Sequence, residues 1–273
     1  MKMLLKDGKA NVLTFSYDDG TVQDKRLMEI FNRYGLKATF NINSGLYYPG
    51  DADRDFGRMT KTSSISLYKD SGHEVAVHGH KHLWPTKIRS VELLQEILKD
   101  RQCIEEDYGI IARGMAYAYG GYNQAVIDAI SQCGIVYART IKSTYTMDFP
   151  ENWLELNPTC HHKDPRLMEI ANRFVNEKHR QGLSRMLYVW GHSFEFDQQN
   201  NWDVIESFCQ FVSGHAHIWY ATNIEVYDYI SAYNRLQVSL DESIITNPSA
   251  TDVWVEVNEQ VHCIKAGETC ILK

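Results

Sequence analysis

The chain has 273 residues, of which 44% are hydrophobic and 23% are charged, and these values exclude a disordered chain, a collagen and a low-complexity fibre. Its 28 basic and 35 acidic residues give a net charge of −7, which excludes the strongly basic surface of a protein that binds nucleic acid or an anionic membrane. The length suits one large domain built around a single core.

The amino terminus carries no targeting signal that we recognise. Residues 1–7 are too short and too charged to form a signal peptide, so we expect a cytoplasmic protein, or a secreted one whose leader has been removed. No stretch of the sequence approaches the roughly 20 apolar residues that span a bilayer. The six cysteines include no C-x-x-C pair, and we interpret most of them as small buried side chains.

Short apolar runs alternate with amphipathic segments along most of the chain. The apolar runs predict strands at 10–16, 37–42, 74–78, 114–118, 135–139, 186–190 and 218–221. The amphipathic segments predict helices near 27–34, 62–71, 90–107, 123–133, 165–180, 202–213 and 223–235. This alternation is typical of parallel strands with helices outside them, in either a (β/α) barrel or a doubly wound sheet.

Two segments depart from this pattern. Residues 140–164 are too many for an ordinary connection, and we expect an ordered loop over the functional site. Apolar and polar residues alternate over 252–264 around an Asn-Glu turn at 258–259, as in a β-hairpin. We therefore predict a main α/β domain over residues 1–240 and a β-hairpin extension over 241–273, too small to fold alone and packed on that domain.

The first predicted strand ends in two aspartates, Asp18 and Asp19, followed by a glycine. Adjacent residues at the end of a strand point in different directions, so one carboxylate can bind a metal while the other stays free. Asp-Asp-Gly is also a common turn sequence, and by itself it does not distinguish a site from a turn.

The third predicted strand is followed by three histidines within five residues, His78, His80 and His82. Two imidazoles four residues apart can bind one metal where the chain turns helically, which favours the pair His78 and His82. No glutamate follows His78, so the H-E-x-x-H zinc motif is excluded. We expect His80 to point elsewhere. Together with an aspartate at another strand end, the histidine pair predicts a metal site.

The predicted strand at 186–190 also delivers a histidine, His192, just past its end. A single histidine in such a place is as often structural as catalytic. In a barrel, however, the carboxyl ends of all strands open on one face, where active sites are built. We therefore expect one cleft to contain Asp18, Asp19, His78, His82 and His192.

Other residues near these motifs allow two interpretations each. His161 and His162, at the end of the long segment, are interpreted as part of a solvated loop, with a rim of the substrate site as the alternative. Glu195 either orients His192 or is a surface carboxylate. Trp84, just after the histidine motif, either forms the wall of a groove or ends a turn.

These motifs resemble those of the polysaccharide deacetylase family, also called the NodB-homology domain or carbohydrate esterase family four. The family's T-F-D-D-G motif appears as S-Y-D-D-G at 16–20, and its H-S/T-x-x-H motif appears as H-G-H-K-H at 78–82. The run K-A-T-F at 37–40 matches the family's second strand. The R-P-P-Y-G motif is partly kept as A-Y-A-Y-G at 116–120, and V-W-G-H at 189–192 loosely matches the motif Leu-x-His.

The resemblance spans roughly residues 10–235. It implies a deformed (β/α) barrel of about seven units over the main domain, with the C-terminal hairpin as an appendage. It also implies a metal-dependent hydrolase that removes N-acetyl or O-acetyl groups from a carbohydrate or glycoconjugate. The implied cofactor is a divalent metal, zinc first, with cobalt, nickel or manganese as alternatives.

The resemblance also assigns roles to individual residues. It implies that the metal is held by Asp19, His78 and His82. It makes Asp18 the general base, His192 the general acid and the backbone N–H of Tyr119 a donor to the developing oxyanion. These roles suit amide hydrolysis, which needs a nucleophile, stabilisation of the oxyanion and a proton for the leaving amine.

The sequence departs from the family at the third motif. Ala116 stands where the family has the arginine that tethers the base aspartate, both prolines are missing, and the fourth motif has no clear counterpart. The next predicted strand ends in Arg139, and neighbouring strand ends open on the same cleft. A guanidinium can fix and balance a carboxylate, so we hypothesise that Arg139 pairs with Asp18; an arginine solvated at the rim is the alternative.

Three functions remain open from the sequence. The first is a metal-dependent deacetylase of a sugar or glycoconjugate. The second is a relative that hydrolyses a non-sugar C–N bond. The third is a non-catalytic domain that keeps the barrel and the metal and binds a glycan, since some family members are inactive. The expected partner is a carbohydrate, and the sequence specifies neither the sugar, the native metal nor the oligomeric state.

Overall fold

The computed structural model describes residues 1–177 and 182–272. The strands are β1 (Lys2–Met3), β2 (Asn11–Asp18), β3 (Thr39–Ile42), β4 (Glu74–Val77), β5 (Gly114–Ala116), β6 (Tyr137–Arg139), β7 (Cys160–His161), β8 (Arg185–Gly191), β9 (Ile218–Tyr220), β10 (Gln237–Val238), β11 (Ile244–Thr246), β12 (Val253–Val257), β13 (Gln260–Ile264) and β14 (Thr269–Ile271). The helices are α1 (Asp24–Arg33), α2 (Lys61–Tyr68), α3 (Ser90–Tyr108), α4 (Gln124–Gln132), α5 (Leu167–Asn176), α6 (Phe194–Gln199), α7 (Trp202–Val212) and α8 (Asn223–Tyr233).

Each strand and helix predicted between residues 10 and 235 is present to within a few residues. The apolar run of β2 is buried along its whole length, as expected for a central strand with helices outside it. Helix α1 buries Leu27, Ile30 and Phe31, whose spacing of three and four residues places them on one face. The helix predicted over 165–180 is α5, and positions 178–180 lie outside the described residues.

The central sheet is parallel and curls into a deformed (β/α) barrel, as the sequence predicts. Its strand order is β6-β5-β4-β3-β2-β8-β7, and β9 pairs with the first half of β2. The two edges meet through the segment 156–161. Leu156 forms a parallel bridge with Arg139, and β7 pairs with Trp190 and its neighbour in β8. The carboxyl ends of seven strands therefore surround one mouth.

This closure corrects the prediction for residues 140–164. The second half of this segment is not a loop over the site, because it forms part of the barrel wall, whereas residues 140–152 contain no helix or strand. The N–H of Thr140 donates to the carbonyl of Leu156 at 3.0 Å, and the N–H of Thr159 donates to that of Tyr188 at 2.8 Å. The regular strand here has only two residues and follows Pro158, so no apolar run marks it in the sequence.

The C-terminal hairpin predicted around residues 258–259 is present as β12 and β13, paired antiparallel. Asn258 and Glu259 both have positive φ, 50° and 63°, as a two-residue hairpin turn requires. Strand β1 adds to the free edge of β12. One apolar cluster contains residues of both the hairpin and the barrel, including Val255, Val12 and Ile230. The domain boundary at residue 240 stays a prediction, and this cluster crosses it.

The six cysteines are free thiols. Cys133, Cys160 and Cys209 are buried, and the other three are partly exposed. Within the described ranges, no helix is both long and apolar enough to cross a membrane.

Candidate metal and catalytic site

The mouth formed by the carboxyl ends of the strands contains the predicted site residues. Asp18 ends β2, His78 follows β4, Arg139 ends β6 and His192 follows β8. Asp18, His78 and Arg139 are almost completely buried, and the side chain of His192 is 25% exposed. The structure thus brings together side chains from four strands at the end of the barrel where active sites are built.

The two adjacent aspartates face different partners because the backbone turns between them. Asp19 has a φ of 87°, in the left-handed region that aspartate tolerates better than most residues. Asp18 lies inside the barrel mouth, with 2% of its surface exposed. Asp19 instead directs Oδ1 towards the Nε2 atoms of His78 and His82, at 3.9 and 3.7 Å. Oδ2 of Asp18 also lies 3.7 Å from Nε2 of His78, so both carboxylates are near that imidazole, and Asp19 is the one of the two that is also near His82.

Asp19, His78 and His82 are arranged as ligands of one ion. Their ligand atoms all lie within 4.8 Å of one another, and the two Nε2 atoms are 3.2 Å apart. Ligands at about 2.0–2.2 Å from a tetrahedral zinc ion lie roughly 3.3–3.6 Å from each other. The donor set of two imidazoles and a carboxylate is one that zinc accepts, so the residues fit the metal that the sequence predicts.

A backbone contact fixes the tautomer of His78. Its Nδ1 lies 2.9 Å from the carbonyl oxygen of Ala116, which can only accept a hydrogen bond. Nδ1 therefore carries the hydrogen, and the lone pair of Nε2 is free for a metal. Burial lowers the pKa of His78, although Asp18 and Asp19 oppose the change, and this favours the neutral imidazole. Ala116 stands at the position where the family has an arginine, and here its backbone carbonyl orients His78.

The spacing of His78 and His82 predicts a helical turn between them. This prediction is wrong, because His82 reaches the site through a tight turn. Its N–H donates to the carbonyl of Gly79 at 3.3 Å, and Gly79 and His82 have φ values of 83° and 54°. Glycine adopts such a φ without strain, so it allows the chain to reverse just after His78. His80 points elsewhere, as expected, with Nδ1 3.0 Å from the hydroxyl of Ser44.

Asp18 is held by two donors. The side-chain amide of Asn41 donates to Oδ1 at 2.9 Å, and the guanidinium of Arg139 donates to Oδ2. Burial raises the pKa of Asp18, but the charge of Arg139 is the largest of the opposing effects, which together outweigh burial and lower the pKa to about 2. The carboxylate is therefore ionised and fixed in orientation. The contact hypothesised between Arg139 and Asp18 is present.

Arg139 is itself fixed by its surroundings. Its guanidinium stacks 4.2 Å above the ring of Trp190 and donates to the carbonyl of Thr140 at 3.2 Å. Only 1% of its side chain is exposed, so it is not solvated at the rim. A planar guanidinium can stack on an aromatic ring and donate several hydrogen bonds in a fixed geometry, which an ammonium group cannot do.

His192 lies between two carboxylates. Its Nε2 is 3.9 Å from Oδ2 of Asp18, and its Nδ1 is 3.6 Å from Oε2 of Glu195. Burial lowers the pKa of His192, but Glu195, followed by Asp18 and Asp19, outweighs burial and raises the pKa above its ordinary value. The protonated form, which a general acid needs, is therefore favoured.

Tyr119 lies at the rim beside a metal ligand. Its ring packs edge-on against His82 at 4.5 Å and stacks on Trp84 at 4.8 Å. It is 54% exposed and has a positive φ of 56°. The structure places the residue next to the cluster, and the role of its backbone N–H as an oxyanion donor stays a prediction.

Three residues of the site carry no motif that we recognised in the sequence. Arg58 donates to Oδ1 of Asp19 at 2.9 Å, and Asn41 holds Asp18. Asp100 accepts from the backbone N–H groups of His78 and Ser44 at 3.0 and 2.8 Å.

Of these three residues, Asp100 alone has a signal in the sequence. It shares the buried face of α3 with Leu93, Ile97 and Ile104, where a charged residue is unexpected unless it has partners. Burial raises the pKa of Asp100 to about 7, although its hydrogen bonds act in the opposite direction.

A second cluster of histidines and a carboxylate lies beside His192. His161 and His162 are not in a solvated loop, because His161 ends β7 and His162 is 2% exposed. The Nε2 atoms of His161 and His162 are 3.3 and 3.2 Å from Oε2 of Glu195. The interpretation as a solvated loop is wrong because closure of the barrel buries this part of the chain.

The comparisons with known proteins agree with this fold. Residues 6–138 match the family model for polysaccharide deacetylase. Among curated proteins, the peptidoglycan deacetylase of Helicobacter pylori is 22% identical over 149 residues, which are 53% of this chain and 47% of that protein. The chain thus spans about half the length of the curated relative that it matches.

Solved structures with a similar fold cover more of the chain. A protein from Mycobacterium smegmatis assigned as a polysaccharide deacetylase has a TM-score of 0.58 at 16% identity, covering 86% of this chain and 96% of its own. The peptidoglycan deacetylase PdaC from Bacillus subtilis has a TM-score of 0.51 at 17% identity, covering 82% and 93%. At these identities the similarity shows the fold.

Proposed function

We propose that this chain, whose residues 6–138 belong to the polysaccharide deacetylase family, is a metal-dependent hydrolase that removes N-acetyl groups from a carbohydrate or glycoconjugate. One observation carries the proposal. A set of three potential metal ligands lies at the barrel mouth, directly beside a buried carboxylate and an imidazole that face each other, Asp18 and His192. Amide hydrolysis needs both parts of this arrangement.

Asp19, His78 and His82 would hold the metal. Three protein ligands leave coordination positions open, as in catalytic zinc sites. When bound, a divalent ion supplies Lewis-acid activation of water and of the acetyl carbonyl. Zinc suits the donor set best, and cobalt, nickel and manganese remain alternatives.

Asp18 would accept the proton of the attacking water. Asn41 and Arg139 hold its carboxylate in one orientation, which reduces the entropy lost in reaching the reactive geometry. A pKa of about 2 keeps Asp18 ionised at neutral pH and therefore able to accept a proton. Such a carboxylate is a weak base, so its proton transfer must accompany the attack on the carbonyl carbon.

His192 would donate a proton to the departing nitrogen. Its raised pKa favours the imidazolium, and its Nε2 faces the same space as Oδ2 of Asp18. In these roles Asp18 and His192 would supply a base and an acid to one cleft, as the two halves of the reaction require. The backbone N–H of Tyr119 would stabilise the charge on the carbonyl oxygen.

Exposed aromatic rings support a carbohydrate as the substrate. On one side of the cleft, Trp84 stacks on Tyr119 beside a metal ligand. On the other side, Phe194 lies 5.1 Å from the ring of His192 and contacts Phe56, which is 52% exposed. Aromatic faces on both sides of a polar centre suit the apolar faces of sugar rings better than a small non-sugar amide.

Acetate release tests this proposal. Protein freed of metal with a chelator and then reloaded with zinc is incubated with N-acetylglucosamine oligomers, peptidoglycan fragments and acetylated xylan. We expect acetate from the N-acetylated sugars only after zinc is restored. Trp84→Ala should raise KM severalfold while kcat changes little. A zinc-loaded protein that binds the oligomers but releases no acetate would instead be a non-catalytic glycan-binding domain.

A further inference from the structure

We propose that His161, His162 and Glu195 form a second site for a divalent cation of the zinc type. It shares no ligand with the Asp19, His78 and His82 set, so it does not depend on the proposed function. The ligand atoms of the three residues all lie within 4.8 Å of one another. Two imidazoles and one carboxylate are a donor set that binds zinc. The N–H of Lys163 donates to Nδ1 of His161 at 3.1 Å, so zinc at Nε2 of His161 would move the ring hydrogen to Nδ1 and break this bond.

The distances agree with one shared ion. Oε2 of Glu195 is 3.3 Å from Nε2 of His161 and 3.2 Å from Nε2 of His162. Ligands at about 2.0–2.1 Å from a tetrahedral ion are separated by roughly 3.3 Å. The second oxygen of Glu195 accepts from the ammonium of Lys163 at 2.7 Å, and Oε2, which faces the histidines, also accepts from the backbone N–H of His192 at 3.3 Å.

His162 is the strongest indication of a ligand. Its side chain is only 1% exposed, yet neither ring nitrogen has a hydrogen-bond partner among the described residues. Its Nε2 lies at hydrogen-bonding distance from Oε2 of Glu195 without being aligned with it. The ligands of one ion point at the ion and not at each other, which produces this arrangement. An unpartnered buried imidazole otherwise costs free energy.

Packing leaves one nitrogen of His162 available. The ring is stacked between Tyr17 and Phe196, with centroids 5.6 and 4.2 Å away. A Cβ at Gly191 would lie 2.1 Å from Nδ1, so this nitrogen is packed against the backbone. The fold therefore fixes the ring so that Nε2 faces the space shared with His161 and Glu195.

The cation would lie close to His192, the residue that we propose as the general acid. Nδ1 of His192 is 3.6 Å from the same Oε2 of Glu195. The bond from the backbone N–H of His192 to this oxygen holds the carboxylate close to that imidazole. An ion at this place would therefore fix Glu195, and through it the environment of His192.

Zinc stoichiometry tests the second site. The full chain is freed of metal, titrated with zinc and analysed by calorimetry and by elemental analysis after gel filtration. We expect two equivalents in the wild type, one in His161→Asn, one in His82→Ala and none in the double variant. His161 is chosen because its side chain is 21% exposed and tolerates replacement better than that of His162. The exposed His217 lies in neither cluster, so His217→Asn should retain two equivalents.

Two results would overturn the second site. One is a wild type that binds a single equivalent, which His82→Ala removes and His161→Asn does not. This result would leave the proposed function intact, because the first site would still be loaded. The other is a second equivalent that persists in His161→Asn, which would show that the ion binds elsewhere.

Discussion

The two ends of the barrel both contain buried polar groups, but they satisfy them differently. At the amino end, Glu74 of β4 accepts three hydrogen bonds. The hydroxyls of Tyr137 and Thr39 each donate at 2.7 Å, and the N–H of Ile224 donates at 3.0 Å. Both carboxylate oxygens are therefore paired.

The same network continues through Asn223, the first residue of α8. Its Oδ1 accepts from Thr14 at 2.7 Å, its Nδ2 donates to the hydroxyl of Tyr188 at 2.7 Å, and its N–H donates to the hydroxyl of Thr39 at 3.0 Å. Both polar groups of this side chain have a partner. Glu74 and Asn223 thus form a hydrogen-bond network at the amino end in which the buried polar groups are paired.

At the carboxyl end, buried polar atoms are left without partners. Among the described residues, they include both ring nitrogens of His162, Nδ1 of His192, Nε of Arg139 and Nε1 of Trp190. Unpaired buried groups are rare in folded proteins and need an explanation. We infer that the amino end serves stability and that the carboxyl end is arranged for ligands, which is the division expected of a (β/α) barrel.

The largest effect is expected at the carboxyl end. His192→Ala removes the proposed acid and should lower acetate release by about 10²–10⁴-fold. The amount of zinc bound by Asp19, His78 and His82 should stay unchanged, because His192 is not one of the proposed ligands. His217→Ala is the matched control and should leave both quantities unchanged. Near-normal turnover in His192→Ala would remove this residue from the mechanism.

A change at the amino end should act on stability and on its pH dependence. Burial raises the pKa of Glu74 to about 7 in the folded state, although its three hydrogen bonds lower it. Between about pH 4.5, the ordinary pKa of glutamate, and pH 7, the folded state keeps a proton that the unfolded state has lost. The contribution of Glu74 to stability is therefore present below pH 4.5 and is lost as the pH rises through 7.

Glu74→Gln has no such proton to lose. The free energy of unfolding of the variant, minus that of the wild type, should therefore increase by about 3 kcal/mol from pH 4.5 to pH 8. Urea unfolding curves at several pH values measure this difference. Turnover per folded molecule should stay within about twofold at pH 7, because Glu74 lies at the other end of the barrel. Parallel pH profiles for the two proteins would show that Glu74 titrates normally.

A smaller effect is expected for Arg139→Lys. Lysine keeps the positive charge beside Asp18 but loses the forked donors and the stacking on Trp190. We expect kcat to fall about tenfold, which corresponds to about 1.4 kcal/mol, the order of one charge-assisted hydrogen bond. Arg58→Lys is a useful comparison, because Arg58 contacts Asp19 and should alter zinc affinity more than kcat. Loss of zinc with an unchanged kcat in Arg139→Lys would contradict the assignment.

The sequence was sufficient where the chemistry is local. Asp18 and His78 could be found because each follows an apolar strand, and the parallel arrangement alone places them at one end of the barrel. Arg139 was found in the same way, since it ends the strand beside the missing arginine of the family motif.

The sequence was insufficient where the site depends on pairing between distant segments. The burial of His162 follows from a two-residue strand that closes the barrel, and no periodic pattern can reveal so short an element. Asn41 lies on β3 in the middle of an apolar run, and its contact with Asp18 depends on the register of β2 and β3. Such contacts are defined only once the strands are paired.

We propose separate roles for the two adjacent aspartates, with Asp19 holding the metal and Asp18 accepting a proton. Asp18→Asn and Asp19→Asn are isosteric and neutral, so they can be compared directly by measuring zinc content and acetate release on the same samples. Asp18→Asn should keep its zinc and lose at least about 10²-fold in turnover. Asp19→Asn should lose one equivalent of zinc together with its turnover. Near-normal acetate release by Asp18→Asn, or equal loss of zinc in both variants, would contradict this division of roles.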